Sequence, residues 1–343
     1  MGGNLPAVVA RARNLVAEAL DAFDAQRSGG APQAFVACSG GADSLALAAA
    51  AGFLAQRKGY SVGALVVDHG LQTGSAEVAE KAASQCADLG LSPVRVLKAH
   101  VSGNLNEAYA REARYAAIEE FLSADAAYQN SPVLLAHTLN DQAEQVLLGL
   151  ARGSGTRAIA GIPPVRGRYV RPFLPLSRED TEWICHHARL DFWVDPTNLE
   201  TDALRNQVRL TLLPALADTL GAVYENLART AELARDDADY LDELADEVLR
   251  DAMMAPPSSS EVKLDVNRLT QLPRALTSRV IRQAAIMVGG KAPDFERTRA
   301  VLGLLRLGPS TGPVQLEGHV DVIRTTEMPR GLVFRSARPK TAH

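Results

Sequence analysis

Ala34-Phe35-Val36-Ala37-Cys38-Ser39-Gly40-Gly41-Ala42-Asp43-Ser44 is a short apolar run that breaks into Ser-Gly-Gly and continues into the Ala- and Leu-rich stretch from Leu45 to Leu54. This order predicts a buried strand, a tight turn and a helix. The glycines place bare backbone amides at a helix N-terminus, where unpaired N–H groups and the helix dipole favour an anion. No Gly-Lys-Ser/Thr ending supplies a lysine. Asp43 stands instead where a metal-bridging carboxylate can sit, flanked by the hydroxyls of Ser39 and Ser44. The competing reading is an ordinary strand–helix turn that uses glycine for its backbone freedom.

The rest of the first half repeats the same grammar. The spacing predicts a helix over 6–23, strands over 61–68, 93–97 and 132–136, and helices over 72–89, 104–121 and 140–150. Alternation of this kind implies an α/β fold, a doubly wound parallel sheet whose ligands lie beyond the carboxyl ends of the strands. Ser39, Asp68 and His137 all fall at strand ends and can share one crevice. Beyond residue 214 the pattern becomes helical, over 215–254, 272–288 and 295–307, with short strands over 314–316, 320–324 and 332–334. Residues 255–260, Ala-Pro-Pro-Ser-Ser-Ser, read as a linker. We expect two domains, 1–217 and 218–343.

Composition narrows the class. With 343 residues, 47% hydrophobic and 22% charged, the chain is that of an ordinary globular protein. No apolar run approaches a membrane span, and no signal peptide opens the chain, so a cytoplasmic location is expected. Cys38, Cys86 and Cys185 form no CxxC and read as small buried hydrophobes. The net charge of −4 hides an asymmetry, because Arg152 to Arg178 holds six arginines and no acid, whereas 225–251 is crowded with Asp and Glu. The basic stretch can accept a polyanion or pair with that acidic segment.

Ser39-Gly40-Gly41-Ala42-Asp43-Ser44 resembles the Ser-Gly-Gly-x-Asp-Ser signature of the PP-loop ATP pyrophosphatase superfamily. From about residue 33 to 214 further motifs resemble one branch of it, the tRNA(Ile)-lysidine synthetases. Asp68-His69-Gly70-Leu71 follows the second strand, where the family helps hold adenine. In 106–115, Glu107, Arg111 and Arg114 lie at i, i+4 and i+7 on one helix face, matching Glu-Ala-x-x-Arg-x-x-Arg-Tyr. The alternative is a solvated ion-pair ladder. His137 to Glu144 matches His-His-x-Asp-Asp-Gln-x-Glu except that Thr138 replaces the second His and Asn140 the first Asp. Arg152-Gly153-Ser154-Gly155, Asp195-Pro196-Thr197-Asn198 and Arg205-Asn206-Gln207-Val208-Arg209 complete the series.

The resemblance implies a PP-loop, Rossmann-like catalytic domain and an appended domain that positions tRNA. It also implies ATP-dependent ligation of L-lysine to C2 of the wobble cytidine of tRNA(Ile) with a CAU anticodon. The cytosine 2-oxygen attacks the α-phosphorus of ATP, and lysine then expels AMP, leaving lysidine and changing codon specificity from AUG to AUA. ATP is expected on Ser39, Gly40, Gly41, Ala42, Asp43 and Ser44, with Asp68, His69, Arg111, Arg114 and His137 alongside. Mg²⁺ is expected on Asp43 and Asp141, and tRNA on Glu107, Arg152, Asn198, Arg205, Asn206 and Arg209. Asp43, Asp141, Glu144 and Arg205 carry the catalytic expectation, Glu144 as the carboxylate that holds the lysine and helps deprotonate its amine. A homodimer stays open. Competing readings are a tRNA thiolase, a small-molecule amide ligase, and a tRNA-binding protein without catalysis. The first commonly carries cysteine pairs and the second an N-terminal nucleophilic Cys; neither feature is present.

Overall fold

A computed structural model describes residues 5–25, 33–68, 70, 74–99, 107–153, 155–195, 204–306, 308 and 312–336. The chain divides into two compact units, 1–151 with 161–231, and 152–160 with 232–343. The boundary read from the sequence, after 217, falls ahead of the helix Val223–Ala252, whereas the division falls inside that helix.

The first unit is a six-stranded sheet, β3-β2-β1-β4-β6-β5. Its strands are β1 (Ala34–Cys38), β2 (Val62–Asp68), β3 (Val94–Lys98), β4 (Val133–Leu134), β5 (Val165–Arg166) and β6 (Tyr169–Val170). All pairings are parallel except β5 with β6. The helices in chain order are α1 (Ala7–Ala25), α2 (Ala42–Lys58), α3 (Ser75–Asp88), α4 (Glu107–Ala124) and α5 (Leu139–Ala151). After the single turn α6 (Thr156–Ile159) come α7 (Arg178–Ala188), α8 (Leu204–Gln207), a π-helical turn at Val208–Leu212, α9 (Leu213–Leu220) and α10 (Val223–Ala252).

Period-two alternation makes β1 a strand buried on both faces, as a parallel sheet requires. Ala34, Val36 and Cys38 enter the core shared with α1, α2 and α3. Phe35 enters the opposite core with Leu65, Ile118 and Leu122, edge-on to Phe121 and Tyr128 at 5.7 and 5.1 Å. Gly63, paired with Phe35, has to be glycine, because a Cβ there would lie 2.8 Å from the Phe35 ring. The strand order reverses at β1, between β2 and β4, and so opens a crevice at their carboxyl ends.

The second unit holds a four-stranded antiparallel sheet, β7-β10-β9-β8, with β7 (Glu261–Asp265), β8 (Val314–Leu316), β9 (Val320–Arg324) and β10 (Gly331–Ser336). It packs with α11 (Val266–Thr270), α12 (Arg274–Met287) and α13 (Phe295–Leu304) around Leu264, Ile281, Val322 and Phe334. Residues 255–260 lie inside this unit, in the loop between α10 and β7. Part of the basic stretch is structural. Arg157 pairs with Asp239 and Asp242 of the acidic segment, while in the first unit Arg168 faces Glu119 at 3.5 Å.

Candidate nucleotide-binding site

The loop after β1 is held by its own hydroxyls. Ser44, 6% exposed, donates to the Gly41 carbonyl at 2.9 Å and accepts the Ser39 backbone N–H at 3.1 Å. Gly40 takes φ +81°, and its carbonyl accepts the Trp193 N–H at 2.9 Å. Gly41 caps α2 with extended backbone and no side-chain hydrogen bond, so the first amides of the helix are left for a ligand.

A cavity of about 430 Å³ opens over this loop. Ser39, Gly41, Ala42, Asp43, Ser44, Arg114, His137, Asp141 and Arg209, all expected from the sequence, line it. Arg178, Glu182, Trp193 and Leu210 also line it and were not foreseen as site residues. The signal for Arg178 lay in Ser177-x-x-Asp180, a capping box that starts α7 and thereby fixes where its first residue projects.

The floor of the cavity is two carboxylates with cations around them. Arg178 reaches Asp43 Oδ2 at 3.9 Å and Asp141 Oδ1 at 3.6 Å, and Arg209 reaches Asp141 Oδ1 at 3.7 Å. The Thr181 hydroxyl donates to Asp43. Burial, then repulsion from Asp141, pushes the Asp43 carboxyl up to about 6 against the hydrogen bond and the arginines. Among the described residues no three His, Cys, Asp or Glu side chains converge to hold a metal unaided. Two crowded carboxylates fit Mg²⁺, which takes one or two carboxylates and completes its shell with phosphate oxygens and water.

The two departures in the His137–Glu144 motif have structural explanations. Thr138 precedes α5, and its backbone N–H and hydroxyl both donate to Asp141 Oδ2, at 2.8 and 3.1 Å. Oδ1 is thereby aimed at the arginines. Asn140 Oδ1 accepts the Arg178 N–H at 2.9 Å, which ties the start of α7 to α5. His137 Nδ1 is buried without a hydrogen-bond partner. Burial lowers the imidazole to about 4, so at neutral pH the ring is neutral.

Several expected site residues lie elsewhere. Glu144 is only 1% exposed and does not line the cavity; Arg209 takes both its oxygens, at 2.6 and 3.0 Å, and Arg205 stands 3.5 Å away. The Glu144 carboxylate is thus turned to Arg209 and not to the cavity. Arg205 also donates to Gln145 at 3.2 Å. Asp68 accepts the Gly70 N–H at 2.9 Å, as a carboxylate capping a turn does. Arg111 lies against Tyr115, 5.4 Å from its ring. Asn206 is half-buried on α8, and Arg152 follows α5 at the surface. His69, Asn198 and the Glu107 side chain fall outside the described residues.

A parallel sheet with a Ser-Gly-Gly loop at its switch point, over paired carboxylates and arginines, defines a PP-loop nucleotide-binding protein. The PP-loop domain family ATP_bind_3 matches residues 12–216. The tRNA(Ile)-lysidine synthase of Leifsonia xyli subsp. xyli is 46% identical over 84% of this chain and 86% of its own length. Those of Thermobifida fusca and Mycobacterium tuberculosis are 45% and 46% identical over 74% of this chain, and over 76% and 75% of their own. The chain belongs to the tRNA(Ile)-lysidine synthase family. A U34-tRNA thiolase of Methanococcus maripaludis shares the fold, with a TM-score of 0.52 at 14% identity over 66% of this chain and 80% of that one. Among the described residues no helix is long and apolar enough to cross a membrane.

Proposed function

We propose that this enzyme joins L-lysine to C2 of the wobble cytidine of a tRNA(Ile) with a CAU anticodon, in the cytoplasm, using ATP and Mg²⁺. The observation that carries the reading is one cavity joining an uncapped helix N-terminus, two crowded carboxylates and three arginines. Adenylation of a base needs those parts: amides for a phosphate chain, and positive charge around a phosphorus that gains negative oxygen in the transition state.

In this reading the amides opening α2, with the hydroxyls of Ser39 and Ser44, hold the phosphates of ATP. Asp43 and Asp141 would hold Mg²⁺, which when bound neutralises phosphate charge. Arg114, Arg178 and Arg209 supply the remaining positive charge around the reacting phosphorus. The cytosine must leave its stack to bring its 2-oxygen to the α-phosphorus. Neutral His137 lines the same cavity as an uncharged neighbour, and Asp141 faces that cavity, where lysine would attack C2 and AMP depart. Glu144 works at one remove, through Arg209.

The test is transfer of labelled lysine to isoleucine tRNA (CAU) with ATP and Mg²⁺, with methionine tRNA and Asp43→Ala as controls. Incorporation that requires ATP, spares methionine tRNA and is lost in the variant is expected. Pyrophosphate release with another RNA and no lysine transfer would keep the adenylation site and overturn the lysidine assignment.

A further inference from the structure

A second cavity, of about 380 Å³, lies in the first unit and shares no lining residue with the one over the phosphate loop. It forms where α1, α2 and α7 meet the C-terminal end of α3. Small side chains make the room: Ala12, Ala49, Ala50 and Ala188 each bring a single methyl to a place where three helices pack. A volume of this size suits a small molecule, whose sites run from about 300 to 1,000 Å³.

Two charged groups of its wall are left over. The Arg13 guanidinium lies over the Phe53 ring, 3.5 Å from its centre, and Nε is buried without a hydrogen-bond partner. Asp88 lines the same cavity, yet no ion pair joins the two among the described residues. The other polar side chains are engaged: Gln56 donates to the Leu89 carbonyl at 2.9 Å, and His187 stacks on Trp183 with ring centres 5.2 Å apart. Burial holds the Arg13 guanidinium below its ordinary value. A guanidinium laid on an aromatic face keeps the donors along its edge for a planar anion, and a carboxylate meets them with two parallel hydrogen bonds.

We propose that this cavity is a second ligand site, for a small organic monocarboxylate whose carboxylate meets Arg13 and whose apolar body lies among Val9, Ala50, Phe53 and Ile184. The mostly apolar wall asks for that body. Asp88 in the same wall repels a phosphate dianion more than a carboxylate, so a monoanion fits best. A short fatty acid and a free apolar amino acid both offer this group. The amino acid would also bring an ammonium for Asp88, the last residue of α3, where the helix dipole favours a cation and the last turn holds no basic side chain. Helices α2 and α7 each run from the nucleotide cavity, at Asp43 and Arg178, to this one, at Phe53 and His187. With no lining residue in common, ATP and the carboxylate can be bound together.

The test is calorimetric titration of the full-length protein, with and without saturating ATP, using 4-methylpentanoate, leucine, and 4-methylpentan-1-amine as a control of similar body without the acid. Saturation of one site by at least one of the two acids below about 10 mM is expected, with ATP as without it, and none by the amine. Tighter binding of 4-methylpentanoate assigns the site to fatty acids, and tighter binding of leucine to amino acids. Arg13→Met, which keeps an apolar contact with Phe53 and removes the charge, should weaken the acid about tenfold or more. Ala49→Leu, which fills the cavity, should abolish its binding. Each variant should still bind ATP as the parent does, which shows that it has folded. No saturation by either acid, equal binding of the amine, affinity that survives Arg13→Met, or displacement by ATP would overturn the proposal.

Discussion

Glu144 and Arg209 form a two-pronged pair, Oε1 to Nε at 2.6 Å and Oε2 to a terminal nitrogen at 3.0 Å, with the carboxylate 1% exposed. Removing one member of such a pair strands the other charge, which costs about 3 kcal/mol or more. Glu144→Ala should therefore destabilise the first unit by roughly that amount in urea unfolding, and Glu144→Gln by less. With Glu144 and Arg209 paired in this way, the activity losses of Glu144→Gln and Arg209→Met should not add in the double variant. A rise confined to the KM for lysine would instead restore Glu144 as a direct lysine ligand.

The Asp43 carboxyl, raised to about 6, gives a pH dependence with a definite sign. Between about pH 4 and 6 the folded protein holds a proton that the unfolded chain has already released. The ligand-free protein therefore loses stability as pH rises through that window. Asp43→Asn should be more stable than the parent at pH 8 by on the order of 2 kcal/mol, with the difference vanishing near pH 4. Activity runs the other way in the proposed mechanism, where Mg²⁺ would need the ionised Asp43 carboxylate. In the parent, kcat/KM for ATP should fall on acidification below about 6, a limb that the weakly active variant lacks.

The sheet was legible because β1, β2 and the helices after them carry short-period signals that local sequence alone determines. The places of Asp43, Asp141 and Arg209 at the cavity were legible through the resemblance of their motifs to the family's. The burial of Glu144 was not legible, because spacing places it one turn from Asp141 on α5 but does not say which face of the helix is sealed. Burial decided that, through Arg209, 65 residues away. Arg178 was missed for the same reason in reverse: its position at the cavity depends on Asn140 of another helix. Strand β7 escaped notice because its partner, β10, comes some seventy residues later, and its Val262 and Leu264 alternate with charged residues.

Arg178 is the counter-ion shared by Asp43 and Asp141 in the ligand-free site. Arg178→Met leaves the two carboxylates facing each other and raises Asp43 further, since the guanidinium is one of the groups holding it down. The loss of stability should be about 1–2 kcal/mol at pH 8 and fade toward pH 4, where the Asp43 carboxyl carries a proton. Melting temperatures across that range measure it. Added Mg²⁺ with ATP should recover part of the loss by supplying positive charge in the same place, whereas ATP alone should not.

Gly40 and Gly41 are adjacent yet should fail differently. At Gly40, φ +81° disfavours any Cβ, and Ala82 would lie 3.3 Å from it, so Gly40→Ala should cost about 1–2 kcal/mol of folding stability and also disturb the Trp193 hydrogen bond. At Gly41, φ is −78° and the nearest atoms to a new Cβ are 3.7 and 3.8 Å away, so the fold accepts alanine. The methyl would instead face the cavity beside the amides that receive phosphate. Gly41→Ala should thus melt within a degree or two of the parent while binding ATP about tenfold more weakly. Differential scanning calorimetry and ATP titration on the two variants separate the effects. Equal losses of stability would mean that both glycines serve the turn, with neither reserved for the ligand.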